Sequence, residues 1–485
     1  MLEDLVPLLS WLVGAFVTIF SGGTALHALF RKRSPRAATV WVGLCVLFPF
    51  FGALSYWIFG QNRIFYRARR LRRRWPSRQM LDADLEASRG DLAAAARSDE
   101  ELTQLVEINR VSDAATGLPL LTGNRVEVLE NGDECYPRMI AAIDEARTSV
   151  FVETYLFDGP RVTERFGAAL ERAQRRGVDV RVLIDGLGAL VDFGATRRSL
   201  QQRGLRVETF LSPSLTGRGL HLNLRNHRKI LTVDSTVGFT GGMNLRDASD
   251  MLGDRDQWSV RDLHFELHGP IVDELEGIFL EDWCFTTGES LVERVKTPRA
   301  AAGTALCRAI PDGPNEDFES LKWILIGAIG SARRRVRVMA PYFIPTEDLE
   351  TALVAAALRG IHVEVLLPAT VDHRVTQWAS RAMVWQLVRR GVQVRMQGGD
   401  FAHGKLVLID DNVSIVGSAN LDPRSLRLNF EFNVLIHDVD LSARLNALFD
   451  KDWEPAREIT VDFLDAEPTW KRLRDNLARL AGPYL

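Results

Sequence analysis

One constellation occurs twice in this chain, with every spacing preserved, and it limits the possible folds more than any other feature. The first copy runs His227-Arg228-Lys229, four residues, Asp234, six residues, then Gly241-Gly242-Met243-Asn244. The second runs His403-Gly404-Lys405, four residues, Asp410, six residues, then Gly417-Ser418-Ala419-Asn420. In each copy the run before the aspartate is apolar (Ile230-Leu231-Thr232-Val233 and Leu406-Val407-Leu408-Ile409), which reads as a buried strand. Side chains alternate along a strand, so His227 and Lys229 share one face, as do His403 and Lys405.

The surroundings of the two copies repeat as well. Arg335-Val336-Arg337-Val338-Met339-Ala340-Pro341-Tyr342-Phe343 parallels residues 149–157, and Arg359-Gly360-Ile361-His362-Val363-Glu364-Val365 parallels Arg176-Gly177-Val178-Asp179-Val180-Arg181-Val182. The chain is therefore an internal duplication. Around each motif strands alternate with helices: Val126-Glu127-Val128-Leu129, a helix over 137–146, Ser149-Val150-Phe151-Val152, a helix over 163–176, then 178–184. After the first motif a strand over 263–267 precedes a helix over 271–283. This is the pattern of an α/β fold in which helices cover a sheet.

The residue types point to phosphate chemistry. Imidazole attacks phosphorus or exchanges a proton near neutral pH. Lysine offers a point charge to a phosphoryl oxygen, and Asn side chains and glycine-exposed amides can hold the others. A single His-x-Lys is most often a solvated strand end; an identically spaced second copy reverses that judgement. Downstream, Asp262 (35 residues after His227) and Glu431 (28 after His403) can each hydrogen-bond the second ring nitrogen of the histidine in their own copy, as in triad chemistry.

The rest of the 485 residues, roughly three domains' worth, supplies a membrane segment. Residues 5–30 and 37–60 contain no Asp, Glu, Lys or Arg, and each exceeds the roughly 20 residues that span a bilayer as a helix. Two membrane helices are expected. Glu3 and Asp4 stand where a signal peptide would be basic, and Trp41, Tyr56 and Trp57 suit interfacial anchors. Eight arginines and no acid occupy residues 63–78, against Arg31, Lys32, Arg33 and Arg36 in the connection. The heavier side favours a cytoplasmic catalytic region, and the run can also clamp anionic head groups. The net charge of −3 says nothing about partners, and the four dispersed cysteines form no metal-ligand cluster and read as free thiols. The expected organisation is a membrane region at 1–80, a surface linker helix and loop at 81–124, and two α/β domains at 125–300 and 301–485.

Both motifs resemble the duplicated HKD motif of the phospholipase D superfamily. Three further features resemble bacterial cardiolipin synthases over essentially the whole chain: two N-terminal apolar segments, the pattern Pro49-Phe50-Phe51-Gly52 with Tyr56-Trp57-Ile58-Phe59-Gly60, and Asn226-His227-Arg228-Lys229 leading to Gly-Gly in one motif but Gly-Ser in the other. Around residues 245–252 the match weakens. The resemblance implies two phospholipase D-like domains, each a mixed sheet flanked by helices, facing each other about a pseudo-twofold axis behind a helical membrane hairpin in a bacterial cell membrane, multi-pass. It implies His227 as nucleophile and His403 as acid/base, with Lys229, Lys405, Asn244 and Asn420 on the phosphate oxygens, helped by Gly242 and Ser418. Asp234 and Asp410 belong to the motif as support, and Asp262 and Glu431 orient the rings. It implies no metal and no cofactor. The substrate it implies is phosphatidylglycerol among anionic membrane lipids, and no nucleic acid. Alternatives are a phospholipase D-type hydrolase, a phosphatidyltransferase with another donor or acceptor, a nuclease, and a catalytically silent lipid-binding protein.

Overall fold

The computed structural model describes residues 2–32, 35–60, 100–211, 224–249, 259–291, 300–314, 317–480 and 482. The arginine run at 63–78 and the start of the expected linker lie outside these. Two compact units are present, an N-terminal one containing the apolar helices and a second one containing both copies of the motif.

In the first unit a single helix, Leu2–Arg31, is long and apolar enough over Leu9–Arg31 to cross a membrane. The second apolar segment does not form the single spanning helix expected from its length. It breaks at Phe48 into Pro35–Leu47 and Pro49–Phe59, each too short to cross. The cause is Pro49, which lacks the N–H that would bond the Cys45 carbonyl four residues back. That carbonyl instead accepts a hydrogen bond from Ser21 Oγ at 2.5 Å, the side-chain compensation needed where water is scarce.

In the second unit the two halves of the duplication join into one continuous sheet. From its edge the first half runs Arg206–Phe210, Asp179–Asp185, Ser149–Thr154, Ile230–Val233, Val237–Gly241, Leu263–His268 and Leu121–Glu130. The second half continues in mirrored order from Ala305–Asp312 through Asn429–His437, Val413–Gly417, Leu406–Ile409, Arg335–Met339 and His362–Pro368 to Gln393–Gln397. The seam is the antiparallel pairing of Leu121–Glu130 with Ala305–Asp312, so the pseudo-twofold passes through it. In each half three strands are parallel and the motif strands return antiparallel between them and the seam.

Helices cover the sheet, and apolar clusters fill each half. The charged helix Glu100–Thr116 is not the surface linker its composition suggests: Leu105 and Ile108 are fully buried in the core of the second half. Arg308, buried on the facing strand, reaches Asn109 and donates to Asp113 at 2.5 Å, so the helix is tied down by polar contacts as well.

Candidate active site

Each motif strand is buried along its whole length, and its histidine sits just before it, where the chain crosses into the other half. Arg225–Asn226 pairs in parallel with Asn429 and Phe430, and His227 N donates to Phe430 O at 2.8 Å. Reciprocally, Phe401–Ala402 pairs in parallel with Val260 and Arg261, and His403 N donates to Arg261 O at 2.7 Å. Each histidine backbone is therefore fixed to the residue preceding the acid of the opposite half.

This exchange crosses the orienting acids. His227 Nδ1 meets Glu431 Oε2 at 3.0 Å and the Ser418 carbonyl at 3.1 Å. His403 Nδ1 meets Asp262 Oδ2 at 2.7 Å. The pairing of each acid with the histidine of its own copy, expected from sequence order, is thus corrected to pairing across the halves. A carboxylate only accepts, so Nδ1 carries the proton in both rings and the Nε2 lone pair is left for chemistry.

Glu431 is held by Ser418 Oγ at 2.5 Å and Asn429 Nδ2 at 3.0 Å. Asp262 accepts the Leu263 N–H at 2.8 Å, and its own N–H donates to Asn131 Oδ1 at 3.0 Å. The Gly-Gly against Gly-Ser difference now has a reason. A Cβ at Gly242 would lie 2.3 Å from Asp262 Oδ1, whereas the hydroxyl at Ser418 binds the longer acid. The preceding Gly241 and Gly417 share a φ near +152° to +153°, and a Cβ there would collide with the neighbouring strand.

Lys229 Nζ donates to His227 O at 2.7 Å. Lys405 Nζ donates to His403 O at 2.6 Å and lies 2.9 and 3.2 Å from that ring's nitrogens. Burial pushes the His227 imidazole down to about 4 against the pull of Glu431, and lowers His403 with help from Lys405. It likewise pushes Lys229 down to about 7 and Lys405 to about 8. Burial alone would raise Asp262 and Glu431, but Lys405 and His403 facing the one, and His227 and Lys229 facing the other, hold both below their ordinary values. The centre therefore presents two neutral imidazoles beside two ammonium groups that tolerate their burial poorly, which suits the arrival of an anion.

Asn244 and Asn420 are buried; Asn244 Oδ1 accepts from Leu156 N at 3.3 Å, and Asn420 Oδ1 has no partner. Asp234 and Asp410, grouped by sequence with the catalytic residues, lie at the far ends of the motif strands. Asp234 accepts the N–H groups of Arg147, Thr148 and Ser149, and Asp410 those of Arg333, Arg334 and Arg335 plus Gln104 Nε2. With four strand residues intervening at about 3.3 Å each, these carboxylates close a turn and do not reach the histidines.

Sequence reasoning assigned no role to several neighbours. Tyr155 packs on His227 at 5.2 Å between ring centroids and Tyr342 on His403 at 6.1 Å. Arg228 is fully buried, bonded to Asp282 and, through Nε at 3.1 Å, to the Glu431 carbonyl. Asn226 bonds Glu153 and Asp282, and its N–H donates to Asp185 at 2.7 Å. The available signal was a carboxylate ending an apolar strand, as in Val150-Phe151-Val152-Glu153 and Leu183-Ile184-Asp185. Among the described residues no cluster of His, Cys, Asp and Glu could hold a metal ion.

Residues 139–283 and 325–453 match the family described as cardiolipin synthase, PLD-like domain. The chain belongs to that family. Residues 11–61 match the phospholipase D-nuclease N-terminal family. A cardiolipin synthase A of Pseudomonas putida is 34% identical over 470 residues, covering 95% of each chain. Another, of Pseudomonas syringae pv. syringae, is 31% identical over 481 residues, covering 97% of each. Among solved structures, a phosphatidylserine synthase of Haemophilus influenzae shares the fold, with a TM-score of 0.61 at 15% identity, over 78% of this chain and 100% of that one. The apolar N-terminal helix, within the matched N-terminal family segment, marks the chain as membrane-associated.

Proposed function

We propose that the site between the two halves, residues 125–300 and 301–485, makes cardiolipin by moving a phosphatidyl group from one phosphatidylglycerol to the glycerol hydroxyl of a second. The observation that carries this reading is the crossed pair of histidine–carboxylate dyads with a lysine beside each. His227 Nε2 attacks phosphorus; the glycerol oxygen leaves and takes a proton from His403. The bound phosphodiester adds negative charge among Lys229, Lys405 and two neutral rings, favouring protonation of His403 beside Asp262. His403 then removes the proton of the second lipid's hydroxyl, whose oxygen attacks phosphorus and breaks the bond to His227. The lysines, with Asn244 and Asn420, stabilise the equatorial oxygens. Ser418 fixes the Glu431 carboxylate and Gly242 leaves room for that of Asp262, and through the carboxylates the rings are oriented.

The full-length relatives named cardiolipin synthase A support this substrate pair. The enzyme sits in the bacterial cell membrane, with its catalytic halves on the cytoplasmic side, where the arginines of residues 63–78 satisfy the positive-inside rule. Protein in liposomes of phosphatidylglycerol alone, with EDTA present, should yield cardiolipin and free glycerol in equal amounts, read by mass spectrometry. Phosphatidic acid as the sole lipid product would make it a hydrolase and overturn the reading.

A further inference from the structure

The C-terminal helix Thr469–Leu480 is amphipathic, yet its apolar stripe faces away from the protein. Trp470, Leu473, Leu477 and Leu480 follow helical spacing and are 57 to 76% exposed. What the helix buries is small and polar: Ala478 joins Ile344, Ala379 and Met383, and Asp475 is enclosed by Arg474 at 2.6 Å and Arg381 at 3.5 Å. The helix carries Lys471, Arg472, Arg474 and Arg479 against Asp475 alone. A stripe of Trp and Leu rimmed by cations is the composition of a helix that lies in a membrane interface.

A second apolar element stands at the matching place in the other half. The turn after strand Asp179–Asp185 exposes Leu190, Val191 and Phe193, the last at 85%. The counterpart strand, His362–Pro368, leads into helix Arg374–Val388, on which the C-terminal helix packs. Both elements connect directly to the site. Ile344 N donates at 2.9 Å to the carbonyl of Leu421, next to Asn420. In the other half Asp185 bonds both Gly188 N at 3.0 Å and Asn226 N at 2.7 Å, next to His227.

We propose that helix Thr469–Leu480 and the 190–193 turn form a membrane contact separate from the N-terminal helix, seating the rim of the site in the interface of an anionic bilayer. The inference rests on the reading of the site as one for lipid phosphates. It explains why the enzyme would leave four large apolar side chains in water, and why the surrounding charge is positive.

The test compares initial transfer rates of the full-length protein on long-chain phosphatidylglycerol vesicles and on dihexanoyl phosphatidylglycerol dispersed below its micellar concentration. Leu473→Glu/Leu477→Glu, and separately Phe193→Glu, should lower the vesicle rate roughly tenfold or more while leaving the dispersed rate within about twofold. Leu358→Glu alters an equally exposed leucine before strand His362–Pro368, at the opposite end of the sheet, and should change neither rate. Equal vesicle rates in wild type and variants would overturn the docking. So would loss on both substrates accompanied by a changed oligomeric mass in detergent, which would assign the stripe to a second copy. A wild type that transfers from neither substrate would overturn the reading of the site itself, and the docking with it.

Discussion

The two histidine–carboxylate dyads are alike where they face the site and unlike behind it. Behind His227 stands a buried charged network of Arg228, Asp282, Glu153 and Asn226, in which burial and Asp282 drive Glu153 well above the ordinary carboxylate range. At the corresponding positions behind His403 stand Gly404, Met339 and Ala402, and with the Arg261–Asp452 ion pair they line an open pocket of about 30 Å³ beside Asp262. Duplication has kept the groups suited to phosphate in both copies and let the support diverge.

The largest effects should come from breaking the dyads themselves. His227→Asn and His403→Asn should each lose transfer by roughly 10³-fold or more. They should differ in one respect: phosphatidyl label stays covalently on the His403→Asn protein and not on His227→Asn, as read by acid-labile lipid on denatured protein. The reverse pattern would exchange the roles.

Next in size, Glu431→Gln and Asp262→Asn should each cost on the order of 10²-fold. Because the acids cross, Glu431→Gln should behave like the first-copy histidine variant and accumulate no label, and Asp262→Asn should accumulate it. Matching within a copy would refute the crossing.

The supporting layers separate by stability. Arg228→Met strands Asp282 without its cation and should cost about 3 to 5 kcal/mol in urea unfolding. Gly404→Ala should cost about 1 kcal/mol, since the added carbon crowds the flexible end of Met339, at 2.9 Å, and makes ordinary contact with Leu263 at 3.6 Å. A similar cost for both would erase the distinction between the two backs.

The smallest effect concerns the lysines. Both are depressed, so their cationic form is present at low pH and lost as pH rises through about 7 for Lys229 and about 8 for Lys405. Binding of tungstate, an anion of phosphate's shape, should weaken across that window by titration calorimetry. In Lys229→Arg the weakening should begin only near 8, the value for Lys405. An unchanged profile would remove Lys229 from the anion site.

The duplication, the α/β plan and the members of both dyads were legible in the sequence because each rests on local spacing. The crossing was not, because it depends on two-residue strands that bring Asn226 to Phe430 and Ala402 to Arg261 over long sequence separations. Helix Glu100–Thr116 was misplaced on the surface because its charges dominate its composition while only one face is buried. Asp234 and Asp410 were legible as support at the ends of apolar strands, and their hydrogen bonds to the turns before Ser149–Thr154 and Arg335–Met339 show that it is backbone they hold. Pro49 was visible, but its effect needed the Ser21 contact to be read.

That proline also decides where the second apolar segment ends relative to the first helix. Helix Pro35–Leu47 runs against Leu2–Arg31, with Lys32 over Trp41 at one end and Ser21 at Cys45 at the other. Helix Pro49–Phe59 then runs back alongside it, with Phe20 beside Phe50, Thr24 bonded to Trp57, His27 to Tyr56 and Lys32 to the Gly60 carbonyl. The second apolar segment is a helical hairpin that turns back at Phe48. Its exit lies beside its entrance, since Lys32 at one end bonds the carbonyl of Gly60 at the other. Lys32 thus caps the carbonyl end of the returning helix while lying over the rings of Trp41 and Tyr56, so one cation ties the start of the hairpin to its end.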